Sequence, residues 1–377
     1  MLRELKYKNS ILLPTMDYGL WTIDYGLSTM DYRLRTIILI FLFLQFSNSL
    51  NAQDLHFSQY YAAPLYYNPA NTGLFDADYR IGGNYKNQYP WARDGKPTNY
   101  RTFSAYADMA LLQGKLFSKK DKIGVGIIAA NDRAGDGNYT TTRIGASAAF
   151  HKVFGYEGRF GISFGINGIY TQKRVDYALL YFDNQWSDNF FDRDLPTAEG
   201  LTGVNNFGYF DLSAGASFSF MPNKRMSFNI GTGLFHINKP RESFYDLSNR
   251  LGIRPNIIGS GYIMLNEKWH LEPSVMFGYQ KRANEFLAAT IVGYAIVRNN
   301  NAPEHTILMG LSGRAVDAFI PVLGYQYNTL RVMLNYDINA SSLTAASRTN
   351  GGVELSIVYM GRKPGSTRKM MIPCPRL

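Results

Sequence analysis

Five histidines, His56, His151, His236, His270 and His305, are the first residues to weigh as metal ligands or general bases. Zinc sites gather their ligands at short, recurring spacings. These five are dispersed, and no two share helical or hairpin ligand spacing. The single cysteine, Cys374, excludes an intramolecular disulfide and a multi-cysteine metal site. Asp132-Arg-Ala-Gly-Asp136 holds two carboxylates beside a glycine but lacks the spacing and ligand number of a calcium loop. A solvated external loop fits it better. A hydrolase would need a nucleophile, a base and an orienting acid together. Serines are plentiful and His236 and His270 fall in strand-like stretches, yet no motif singles out one nucleophile. The glycines of Gly161-Ile-Ser-Phe-Gly165-Ile-Asn-Gly168 stand within a strand pattern, where glycine permits curvature or a narrow inner face. The expectation is a non-enzymatic protein with no catalytic residue, no cofactor and no metal.

The elements that would position any site are strands. Hydrophobic residues make up 46% of the 377, which argues against disorder. Mean hydropathy is −0.20, and no run reaches the roughly 20 apolar residues of a membrane helix. Alternation with period two recurs instead, the mark of strands with one apolar face. Phe160, Ile162, Phe164, Ile166, Gly168 and Tyr170 fall on one side of a segment whose other side is Gly161, Ser163, Gly165, Asn167 and Ile169. Phe210 to Phe220 repeats the pattern, with Asp211, Ser213, Gly215, Ser217 and Ser219 on the second side. A face this small and polar does not suit half of a sandwich core.

Similar segments begin near Tyr79, Asn99, Ile123, Thr141, Met226, Asn256, Trp269, Phe286, Thr306, Phe319, Leu330 and Gly352, which brings the candidate strands to fourteen. Twelve and sixteen are the neighbouring alternatives. Odd-numbered connections include the long stretches Tyr89 to Pro97, Asn131 to Asn138, Gln172 to Asn206, Asn238 to Arg254 and Asp337 to Gly351. Even ones, such as Met221 to Arg225 and Asn328-Thr329, are short, apart from Leu111 to Lys122. Outer-membrane barrels sort their loops by parity in this way. The predicted fold is therefore all-β: a transmembrane antiparallel outer-membrane β-barrel of fourteen strands over residues 79–360. Tyr79, Tyr89, Tyr170, Trp269, Tyr279, Tyr325 and Tyr359 fit its interfacial girdle.

Residues 1–29 read as a spurious upstream extension. Three near-copies of a seven-residue unit begin at Met16, Ile23 and Met30, too few and too glycine-rich for a coiled coil. From Met30 the pattern is that of a signal peptide over residues 30–52, with Arg33 and Arg35, an apolar run from Ile37 to Phe46, and Leu50-Asn-Ala52 before the cut. The formal charge of +10 is scattered, which excludes a nucleic-acid stripe. Its one concentration is the tail, residues 361–377, where Arg362, Lys363, Arg368, Lys369 and Arg376 stand with no acid. A periplasmic partner contact and a merely solvated end are both open there.

Two further regions stand out. Gln172 to Asn206 carries Trp186, Phe190 and Phe191, reads as an external lid or a loop that contacts another molecule, and has an inert fold-back plug as its alternative. Residues 53–78 precede the first strand and are too rich in Pro, Asn and Tyr for a helix. They read as a luminal or periplasmic segment, with a plain linker as the alternative.

Motifs at both ends point to a family. His56-Phe57-Ser58-Gln59-Tyr60-Tyr61 is followed by Ala63-Pro-Leu-Tyr-Tyr-Asn68-Pro69-Ala70 and Gly73, and Asn131-Asp132 with Gly135 comes later. Near the far end stand Tyr336-Asp-Ile-Asn-Ala-Ser-Ser342, Gly351-Gly-Val-Glu-Leu-Ser356 and Ile372-Pro373-Cys374-Pro375-Arg376. Together they resemble the PorP/SprF-type outer-membrane proteins of the type IX secretion system of Bacteroidetes. The resemblance implies a barrel that assists export or surface attachment of secreted proteins, among them gliding-associated adhesins. It also implies partners: secretion components in the periplasm or on peptidoglycan, cargo with a type IX carboxyl-terminal domain, and outer-membrane lipid. A channel for small hydrophobic or polar solutes is the runner-up, and an outer-membrane enzyme the third class.

Overall fold

The computed structural model describes residues 56–363, apart from 90–99, 113–120, 136, 156–157, 188, 193, 198, 200–202, 245–248, 282, 300–301 and 342–348. The expected upstream extension and the expected signal peptide, with Arg368, Lys369, Pro373, Cys374, Pro375 and Arg376, lie outside the described residues.

Fourteen antiparallel strands close into a barrel. They are β1 (Tyr79–Gln88), β2 (Tyr100–Leu111), β3 (Lys122–Ala134), β4 (Tyr139–Phe154), β5 (Phe160–Asp176), β8 (Val204–Asn223), β9 (Met226–Phe235), β10 (Arg254–Met264), β11 (Trp269–Gln280), β12 (Ala283–Asn299), β13 (Ala302–Arg314), β14 (Ala318–Tyr327), β15 (Leu330–Asn339) and β16 (Asn350–Gly361). Tyr79 opposite Gly361 begins the seam at which β1 meets β16. Two short strands outside the barrel, β6 (Trp186–Ser187) and β7 (Phe190–Phe191), form a hairpin within the β5–β8 connection. An even strand count leaves both barrel ends of the chain at one rim, called here the terminal end. The opposite rim, with the β5–β8 connection, is the loop end.

The alternation read from the sequence points outward. Phe164, Ile166, Tyr170, Phe210, Leu212 and Phe218 are exposed, while Ser163, Asn167, Asp211, Ser213, Ser217 and Ser219 are buried in the lumen. Such an inside-out arrangement is what a lipid solvent selects, because the apolar face is the solvated one. Rings gather at the terminal rim. Trp269 packs on Tyr294 at 4.7 Å, Phe160 stacks between Phe154 and Phe220, and Tyr79 meets Tyr359 edge-on.

The barrel wall corrects three expectations. Asn131 to Ala134, Gln172 to Asp176 and Val204 to Asn206 belong to strands rather than loops. The ladder continues past the lipid band, where neither face needs to be apolar, so the alternation fades before the hydrogen bonds do. His236 sits just beyond β9 rather than on a strand. Finally, the lumen is not uniformly small and polar. Leu287, Ala289, Ile291, Leu308, Ile320, Val322 and Met333 face inward from β12 to β15 and are buried.

Candidate functional site

What those inward apolar residues meet is the segment before β1. Residues 56–78 run inside the barrel as a plug built from short turns. One helical turn, α1 (Pro64–Tyr67), opens on proline, whose fixed φ suits a first helical position. This turn departs from the expectation of a segment without helix. Asn68 follows, with Oδ1 accepting from the Ala70 N–H at 2.9 Å and Nδ2 donating to the Ala216 carbonyl at 3.1 Å. The glycines of the wall are cut to receive it. A Cβ on Gly215 would run into Asn68 Oδ1, one on Gly165 into Pro69, and one on Gly124 into the Thr72 carbonyl. Gly73 takes a φ of +72°, open to glycine at no cost, as the chain turns toward β1.

Polar residues of the plug are held at both ends of the lumen. Near the loop end, the Ser58 and Gln59 N–H groups donate to the Glu354 carboxylate at 2.8 and 3.1 Å, and Asn84 donates to it at 3.0 Å. Ser58 Oγ donates to Asp337 at 2.6 Å and accepts from Arg314 Nη2 at 2.9 Å and Lys86 Nζ at 3.3 Å. Gln59 Nε2 donates to Asn335 Oδ1 at 2.6 Å, and its Oε1 accepts from Ser356. Near the terminal end, Arg80 grips Asp108 through two nitrogens at 3.0 and 2.8 Å, and Asp108 accepts from the Gly73 N–H at 2.7 Å. Arg80 and Lys86 lie six residues apart on β1, so these anchor points are roughly 20 Å apart along the strand at ~3.3 Å per residue.

Between the anchors the plug is aromatic. Tyr60 donates to Ser274 at 2.8 Å and Tyr66 to the Ala129 carbonyl. The Tyr67 hydroxyl accepts from the Phe57 N–H at 2.7 Å. Burial pushes the Tyr60, Tyr66 and Tyr67 hydroxyls above the usual phenol range, so they stay protonated hydrogen-bonding groups. His151 stands between Ser163 Oγ and the Thr72 carbonyl, both at 2.7 Å, and His236 pairs with Asp211 at 2.8 Å. Each histidine thus has a structural partner. Groups of three or more metal-ligating side chains do not occur among the described residues.

The hairpin of β6 and β7 is the opposite case. Trp186, Phe190 and Phe191 lie exposed beyond the loop end. The start of the tail is fastened beside the plug's exit into β1, with Lys363 N–H donating to Asp78 at 2.7 Å and Arg362 lying 3.4 Å from Asp76. The geometry thus brings together His56 to Gly73 with the far carboxyl-terminal strands. The hairpin aromatics lie apart from both. Sequence reasoning missed Arg314, Lys86 and the Arg80–Asp108 pair, and held Asp337 and Glu354 only as members of terminal motifs, without a role. Their signal was a charge at inward positions of otherwise alternating strands.

A family model described as type IX secretion system membrane protein PorP/SprF matches residues 49–359, from just ahead of the plug to the last strand. The chain belongs to the PorP/SprF family. The buried Phe57–Gln59 and Asn68–Ala70 stretches, His56 before them and the Glu354 strand all fall within that match. No curated protein is similar enough in sequence to count as a match. Among solved structures, the toluene transporter TbuX of Ralstonia pickettii aligns with a TM-score of 0.48 at 9% identity, over 80% of this chain and 93% of its own. The toluene transporter TodX of Pseudomonas putida aligns at 0.46 and 9%, over 82% and 98%. A FadL homologue of Pseudomonas aeruginosa gives 0.43 and 11%, over 78% and 92%.

Proposed function

We propose that this PorP/SprF protein acts as an outer-membrane adaptor of type IX secretion, docking cargo or periplasmic machinery rather than conducting it. The observation that carries this reading is the plug. A lumen crossed by Phe57, Tyr60, Leu65 and Tyr67 and locked by buried charge at both ends offers no path for a polypeptide. The terminal end then faces the periplasm and the tail meets secretion components held there or on peptidoglycan. The loop end faces outward and offers Trp186, Phe190 and Phe191 to a secreted protein, such as an adhesin of the gliding machinery with a type IX carboxyl-terminal domain. Export by the 30–52 signal peptide belongs to the same reading.

The runner-up is a channel for small solutes, favoured by a pocket between plug and wall lined by Tyr60, Tyr61, Ile258, Pro273 and Ile291. That pocket holds 70 Å³, against the ~10–15 Å³ that one water needs. Affinity isolation from intact envelopes, with and without residues 361–377, tests the adaptor. Recovery of secretion components or cargo with the intact chain is expected. Recovery of neither, together with solute conductance in a planar bilayer, would replace the adaptor by the channel.

A further inference from the structure

The outward wall of β1 to β5 carries charge that neither the plug nor the hairpin uses. At one register level near the loop end stand Asn87, Arg101, Arg133, Thr140 and Arg174, each the cross-strand partner of the next. All three arginines are exposed on the lipid-facing side. Arg101 and Arg133 are directly opposite each other, an arrangement of like charges that destabilises a sheet unless something anionic lies between.

One level nearer the membrane centre the row is Tyr85, Phe103, Asn131, Thr142 and Gln172, with Asn131 donating to Thr142 at 2.9 Å. The level below adds Ile144 and Tyr170, both exposed. The wall therefore grades from cationic through hydrogen-bonding to apolar within four residue steps, or roughly 13 Å of strand. A concave recess of 620 Å³ lies over the upper two levels, with Asp176 its one acidic lining residue. On β12 to β14 the loop end instead exposes Phe286, Val316 and Phe319.

We propose that the recess binds a phosphorylated glycolipid of the outer leaflet, of the lipid A type. Arg101 and Arg133 clamp one phosphate between adjacent strands. Arg174, two strands further on and so about 10 Å away at ~4.8 Å per strand, meets a second. Planar guanidinium forks suit phosphate oxygens bidentately. Asn131, Thr142 and Gln172 face the sugar, and the acyl chains lie along Phe103, Ile144 and Tyr170. This inference rests on the reading that the loop end faces outward.

The test uses the full chain purified in detergent, with native mass spectrometry reading the retained lipid. The probes are bisphosphorylated lipid A, its dephosphorylated form and phosphatidylglycerol. Bisphosphorylated lipid A is expected to be retained most, and the R101Q/R133Q/R174Q variant to retain it at least tenfold less. The variant's fold is checked by heat-modifiable migration, with R133Q alone carrying the test if the triple variant does not fold. Equal retention by variant and parent, or equal retention of phosphatidylglycerol and lipid A, overturns the site. A separate arm places L195C in a C374S background and labels intact cells with an impermeant maleimide. Labelling supports the outward loop end, so a lipid result against the site then condemns the site alone. Labelling only after the outer membrane is breached overturns the orientation whatever the lipid result.

Discussion

Tyr60, Tyr66 and Tyr67 in the plug and Trp186, Phe190 and Phe191 in the hairpin are equally aromatic, yet the first three are at most 7% exposed and the last three 37 to 61%. The plug has no regular element longer than four residues and is nonetheless fixed from every side. Its donors and acceptors end on wall residues, and its rings fill space between them. The hairpin does have a β-ladder, but one of two residue pairs, and its rings rest on little. The burial of the plug therefore follows from its partners rather than from secondary structure. Apolar side chains left out of the lumen keep their surface exposed.

That contrast can be broken most severely at Glu354. Its carboxylate receives two plug N–H groups beside the buried cations Lys86 and Arg314, so Glu354→Ala should cost about 3–5 kcal/mol of plug docking, the usual loss on removing one partner of a buried charge cluster. Hydrogen exchange of residues 57–75 should rise steeply while the strands stay protected. Unchanged protection would mean that the plug is held by its rings and not by its charges. Gly215→Val comes next. Its side chain collides with Asn68, and an overpacked contact of this kind costs ~1–3 kcal/mol, read as protease cleavage within the plug at lower denaturant. Asn68→Ala removes the cap of the following turn and one bond to the wall, for about 1 kcal/mol in the same assay. The smallest stability effect belongs to the hairpin. W186A with F190A should leave unfolding within ~0.5 kcal/mol, as exposed sites do, yet reduce cargo recovery from envelopes. A large stability loss there would erase the distinction between the two regions.

The barrel was legible because lipid and lumen impose opposite chemistry on alternate residues, and Phe210 to Phe220 states that opposition without a partner. Where both faces are apolar, as in Phe286-Leu287-Ala288-Ala289 of β12, the sequence hides that one face is packed on a plug. The motif His56-Phe-Ser-Gln-Tyr-Tyr61 marked a special region but not its role, since Ser58 and Gln59 bind residues more than 270 positions away. Inward glycines such as Gly165 and Gly215 were visible as small residues. Only the fold shows that they are the imprint of Asn68 and Pro69. The hairpin aromatics were legible as an anomaly of composition, because exposed rings need no distant partner to be noticed.

The span of the Ser58–Glu354 contact also sets an order of events. It joins positions 296 apart, tying almost the first described residue to the last strand. Contacts this distant in sequence form late, because the intervening loop must first be closed. The plug, which precedes every barrel strand in the sequence, is thus fixed only after the last of them. Until β16 pairs with β1, the plug has neither Glu354 to receive its backbone nor a closed wall around its tyrosines. A chain stopped before β16 would leave Phe57, Tyr60 and Tyr67 without a closed wall to cover them.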